Sequence, residues 1–121
     1  MARATAHPDH RLISSEDVHG TDVIGANEEV IGEIDHLLID KASGRVAYAV
    51  MSFGGILGLA HSHYPIPWGA LKYDKSVAGF RTGITESQLR NAPEFSDDSW
   101  SDRGWETQTH QHYGAPTYWG S

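Results

Sequence analysis

His61-Ser62-His63 sets two imidazoles two residues apart, and in an extended segment such positions point to one face. An imidazole pair of that kind suits Zn, Ni or Cu. His110 and His112 repeat the spacing near the C-terminus, so four histidines could converge. Two ligands do not complete a site, and a metal also needs defined geometry and supporting hydrogen bonds. No carboxylate stands at a recognised spacing from the pair. Exposed loop histidines, or a contact between copies, are the simpler account, and His61 and His63 are the candidate metal ligands.

Paired carboxylates are the second chemical feature. Glu28-Glu29, Asp97-Asp98 and Glu33 with Asp35 would serve acid–base catalysis only if burial raised one pKa. On an acidic chain such pairs more simply solubilise the surface. No G-x-S-x-G motif occurs, and no serine has a recognisable His/Asp context. Gly54-Gly55-Ile56-Leu57-Gly58 lacks the Lys-Ser/Thr ending of a phosphate loop and reads as a flexible barrel corner. Hence no catalytic residue is assigned, no enzyme activity is expected, and no cofactor is expected.

The elements that would carry these residues are short. The chain has 121 residues and a formal charge of -7, a poor balance for nucleic-acid binding. It has no cysteine, which removes disulfides and thiolate chemistry. No apolar run approaches the ~20 residues of a membrane span, and no signal peptide is visible, so a cytoplasmic location is expected. The 24 Ile, Leu, Val and Phe residues all lie between Leu12 and Phe95. This divides the chain into a flexible arm at 1–11, a domain at 12–95 and a polar, aromatic-rich extension at 96–121.

Glycines punctuate the central stretch closely, as in a small barrel or sandwich. Asp22–Ile24 reads as a first strand and Asn27–Glu29 as its turn. Residues 30–40 fit either an amphipathic helix or a strand whose alternation slips near Asp35–Leu37. Gly32 and four β-branched residues favour a bulged strand. Asp40–Arg45 reads as a hairpin loop with Gly44 at positive φ. Residues 45–53 are apolar on both faces, as in a covered central strand. Tyr64–Ile66 is an edge segment, restricted by Pro65 and Pro67. Trp68 marks a corner, with Lys72–Asp74 and Phe80–Ile84 as further strands. Thr85 and Gln88 form a capping-box pattern opening a short helix to Asn91.

The run Glu29–Ile34, then Leu37–Asp40, then Ser43–Val50, resembles a PRC-barrel domain. So do Ser52–Gly55, Pro67-Trp68 and the closing Leu89–Pro93 region. The family is named for the cytoplasmic domain of the photosynthetic reaction-centre H subunit and includes the C-terminal domain of the ribosome-maturation factor RimM. The resemblance covers roughly residues 12–95. It implies a mainly β fold: a small, strongly bent antiparallel β-barrel with one short C-terminal helix, followed here by the aromatic-rich tail. It also implies a role in protein–protein contact rather than catalysis, with no shared catalytic residue set to carry over. The form expected is a small stand-alone bacterial member.

The leading reading is therefore a non-enzymatic interaction or assembly module, homodimeric or higher and contacting another protein. Its surface would use Ile56, Leu57, Leu59 and Tyr64 of the glycine-flanked loop. Trp100, Trp105, Tyr113, Tyr118 and Trp119 of the tail would add aromatic anchors, and a short strand edge would assist. A histidine-based metal-binding or sensing protein is the alternative.

Overall fold

The computed structural model describes residues 11–52 and 63–119. The expected N-terminal arm lies outside them except for Arg11. Ile56, Leu57, Leu59 and His61 also lie outside, so those expectations meet no structural observation.

The chain opens with a single helical turn, α1 (Ser15–Val18), capped by the Ser14 side chain. Six strands follow: β1 (Asp22–Ile24), β2 (Val30–Ile39), β3 (Val46–Ser52), β4 (His63–Pro67), β5 (Lys72–Asp74) and β6 (Gly79–Arg81). They form one sheet in the order β4-β3-β2-β1-β6-β5. The mainly β fold is thus present, but among the described residues the ladder is open, with β4 and β5 at its ends. One ladder departs from the expected antiparallel pattern: β1 and β6 run parallel. No hairpin connects them. The chain reaches β6 only after building β2–β5, and that long excursion lets the two strands run in one direction.

Bulges shape the long hairpin. In the β2–β3 pairing, Ile34 faces Met51 and His36 faces Val50, so Asp35 is the unopposed extra residue. This is where the sequence alternation slips. A second irregularity pairs Leu38 with Tyr48 and Ile39 with Val46, leaving Ala47 unopposed on β3. Two residues then stand against one and the strand bends. Ala47 accordingly joins the same packed cluster as its neighbour Tyr48. Gly44 closes the hairpin at φ 80°, a conformation that costs glycine no steric penalty.

All five interior residues of β3, Ala47 to Met51, are buried, as expected of a strand covered on both faces. Ala49 and Met51 join Val23, Ile34, Ile66 and Phe80 in the main core. Helix α2 (Glu86–Arg90) adds Leu89 to it and starts at the expected Thr85–Gln88 capping box. Arg81 ties the far end together. Its guanidinium donates to Asp74 at 2.6 Å and to Glu28 at 2.8 Å, joining β6 to β5 and to the β1–β2 turn. The Arg81 bond, with two more from the Ser76 hydroxyl and backbone N–H, holds the Asp74 carboxyl down at about 2.

The polar tail folds. After a 3-10 turn (Asp97–Ser101) comes α3 (Arg103–Tyr113), an eleven-residue helix. Asp102 caps its N-terminus, and Gly114, left-handed at φ 68°, caps its C-terminus. Trp105, Thr109, His110 and Tyr113 are its buried residues. Trp105, Thr109 and Tyr113 recur every four positions, which puts them on one side of a helix.

Gly32 tests the packing of β2 on β3. A Cβ there would lie 2.7 Å from the Ser52 carbonyl oxygen and 2.9 Å from Met51 Cγ. Gly32→Ala should therefore destabilise the fold by about 1–3 kcal/mol, as overpacked sites do. Gly83→Ala, with nothing within 4 Å of its new Cβ, should leave stability unchanged or slightly higher. Urea unfolding of the two variants beside wild type reads the difference.

Candidate interaction surface

Tyr48 is 3% exposed, so its hydroxyl needs partners within the protein. Helix α3 supplies them: the hydroxyl donates to Glu106 Oε1 at 2.9 Å and lies 3.0 Å from His110 Nε2. Its ring packs at 5.4 Å from both Trp105 and His110. Phe95 closes over Trp105 from the other side, with ring centroids 4.9 Å apart.

The segment after α3 turns back over this cluster. His110 Nδ1–H donates to the Pro116 carbonyl at 3.0 Å. Tyr118 donates to the same Glu106 oxygen that Tyr48 uses, and its ring meets Tyr48 edge-on at 5.9 Å. Arg45, from the hairpin loop, donates to the Tyr118 carbonyl at 3.2 Å. Arg103 stacks over Trp119 at 3.8 Å, a cation–π contact.

The network is one proton short. Nδ1 of His110 faces a carbonyl and carries the ring proton, so the neutral ring leaves Nε2 bare. Tyr48 then has a single proton for two acceptors, Glu106 and His110. Burial, the larger influence, holds the His110 pKa below its ordinary 6.5 despite the backbone acceptors beside it. Burial and then the Glu106 hydrogen bond push the Tyr48 phenol upward, and the same causes raise Tyr118 to about 12. A Tyr–Glu–His set resembles catalytic equipment, but Tyr48 and His110 are each 3% exposed, and their polar atoms are engaged with Glu106, with each other and with the Pro116 carbonyl. The arrangement serves to fasten α3.

The expected contact residues therefore separate. Trp105 and Tyr113 are buried within the chain and cannot meet a partner in this arrangement. Tyr64 is half-buried against the main core, and Tyr118 against the Tyr48 cluster. Trp100 and Trp119 face outward, at 62% and 39% exposure. Two residues absent from the expected set join them: Arg103, stacked on Trp119, and Ile39, 58% exposed at the end of β2.

The expected strand-edge contact is poorly served. On β4, Pro65 stands opposite Val50 and Pro67 opposite Tyr48. Proline has no N–H, so hydrogen-bonded pairs must fall on the alternate residues, Tyr64 and Ile66. The outward side of β4 then offers carbonyls at both prolines and a backbone N–H at His63 only, which blunts it against strand addition.

The histidines also separate. His110 and His112 do not converge: His112 Nε2 bonds the Gln88 carbonyl at 2.6 Å, while His110 faces Tyr48 and Pro116. His63 stands by a carboxylate that the spacing did not reveal. Asp35, the bulge residue, bonds His36 at 2.7 Å and lies 3.9 Å from His63 Nε2. The hydrogen bond from His36 lowers the Asp35 pKa, opposite to what a general acid needs. Among the described residues no three His, Asp or Glu side chains are grouped to hold a metal.

Acid should loosen the tail. With its folded pKa below the unfolded value, His110 takes up a proton more readily in the unfolded chain. Its contribution is intact above about pH 6.5 and is lost as pH falls through the folded pKa. Asp35 and Asp74 act in a lower window, because their pKa values lie below 3.8. Melting temperature should therefore fall between pH 7 and 5, and His110→Gln should flatten that slope. An equal slope in the variant would assign the effect to other groups.

Comparison with known proteins gives one family. The sequence matches the PRC-barrel domain over residues 10–80. No curated protein matches it. Among solved structures, it is similar to a 16S ribosomal RNA processing protein, RimM, from Pseudomonas aeruginosa, with 19% identity and a TM-score of 0.43. That likeness covers 65% of this chain and 48% of the other, so the chain spans about half the length of that protein. The family match extends over more than half of the sequence, and on that match the chain belongs to the PRC-barrel domain family.

Proposed function

We propose that this protein is a non-enzymatic interaction or assembly module that associates with itself through its tail. The observation that carries the reading is the outward placement of Trp100 and Trp119, in a segment whose other rings are used inside the fold. Trp and Arg are the side chains on which interface energy most often concentrates. Trp119 stacked with Arg103 presents both together. Ile39 adds exposed apolar area beside the hairpin loop that Arg45 ties to Tyr118. Residues 12–95 form the barrel domain in this reading, and 96–121 are an extension that braces it and presents the contact rings. A cytoplasmic setting and a further protein partner belong to the same proposal, as does the absence of nucleic-acid binding, which the charge of -7 supports.

Light scattering tests the proposal. The full chain should run at a multiple of 13.3 kDa, and Trp100→Ser with Trp119→Ser should run at 13.3 kDa with an unchanged circular dichroism spectrum. A wild-type monomer would remove self-association. A double variant that still associates would remove the tail rings as the contact.

A further inference from the structure

A cleft of about 430 Å³ opens between β4, the segment after α2, and α3. It touches the outward tryptophans through Phe95, on which Trp100 packs. Its volume lies within the range of small-molecule sites. Tyr64, Pro65, Pro93 and Phe95 supply apolar and aromatic walls. The exposed residues on its lining are His63, Arg90 and Glu94. Arg90 is already paired with Glu86 at 2.8 Å, and Glu94 brings the opposite sign, so the rim favours neither charge.

The buried part of the lining is unusual. Thr109 is 1% exposed and Tyr113 is 8% exposed, and both line the cleft. Neither hydroxyl has a hydrogen-bond partner among the described residues. A helical threonine ordinarily bonds a carbonyl one turn back, and a buried phenol ordinarily finds an acceptor. Two such groups left unpaired in one cleft wall cost stability that no described residue recovers. Burial keeps the Tyr113 phenol protonated, so it is available as a donor.

We infer that the cleft binds a small, uncharged ring compound whose carbonyl-type oxygen accepts hydrogen bonds from Thr109 and Tyr113. The buried wall offers two neutral donors and no formal charge. A carboxylate or ammonium carried down to it would lose its hydration without an ionic partner. The ring would lie against Tyr64, Pro65 and Phe95, where a flat apolar body is favoured. Seating the ligand requires the Thr109 side chain to rotate and the Tyr113 ring to shift toward it, because both hydroxyl oxygens lie just behind the cleft wall, closed to water.

Benzamide is the probe, with benzoate and benzylamine as charged counterparts of similar size. NMR titration of the full chain should show saturable shifts at Thr109 and Tyr113 with benzamide alone, at millimolar affinity. Thr109→Val and Tyr113→Phe keep the shape of each side chain, and each should weaken benzamide about tenfold, the value of one buried hydrogen bond. Neither should lower the melting temperature, since each removes an unpaired polar atom. Unsaturable shifts would mean that the cleft holds water only and would overturn the inference. Equal binding of benzoate or benzylamine would overturn the ligand class, and benzamide binding indifferent to both substitutions would overturn the assignment of the hydroxyls.

Discussion

A phenol buried against a sheet leaves one hydroxyl that must be bonded, and in this chain that demand falls on Tyr48. No group on the neighbouring strands meets it. Glu106 and His110, 58 and 62 residues further on, do. Once α3 lies across β3 to bring them there, Trp105 is fixed against the Tyr48 ring and Tyr113 enters the main core with Leu89 and Ile66. The closing turn then follows, because Glu106 also receives Tyr118 and His110 holds Pro116. A single buried hydroxyl thus organises about twenty residues that contain no Ile, Leu, Val or Met.

The same dependence explains which parts were legible in the sequence. β3 shows plainly, because a run apolar on both faces has no place except a covered strand. Helix α2 shows through its capping box and the β2 bulge through a slipped alternation, both local signals. The tail helix is different. Asp102 and Gly114 bracket it, and Trp105, Thr109 and Tyr113 recur every four residues, yet without Ile, Leu, Val or Met the segment reads only as a polar, aromatic-rich extension. The Tyr48 network is not legible at all, since no local pattern joins residues so far apart. The parallel pairing of β1 with β6 is hidden for the same reason. Of the residues expected at a contact surface, the composition identified the aromatic class, but only packing could separate buried Trp105 and Tyr113 from exposed Trp100 and Trp119.

The sheet limits how such a protein can associate. An open six-stranded sheet has two edges, and edges invite pairing with other chains. β5 is only three residues long and carries an exposed lysine. β4 carries two prolines whose missing N–H groups leave a visiting strand with one donor, at His63. Both edges are therefore poor templates, and association is directed toward side chains on the faces and the tail. That separation has a physical benefit, because contact through side chains is selective by shape, whereas an open backbone edge accepts many sequences.

A small domain gains little from its own core, since a chain of this length buries a limited fraction of its surface. Recruiting the tail enlarges the core, but every ring used that way is withdrawn from the surface. Five large aromatics follow Phe95, and the fold buries two, half-buries Tyr118 and leaves two outside. The outer pair is not placed independently. Trp100 rests on Phe95, which packs on Trp105, and Trp119 is held by Arg103 and by the ring of His110. Each exposed ring thus leans on a buried one, so the Tyr48 cluster that stabilises the domain also fixes the direction in which its contact residues point. Loss of that cluster would first disorder the presentation of Trp100 and Trp119, while β1–β6, held by a core of their own, would feel it less.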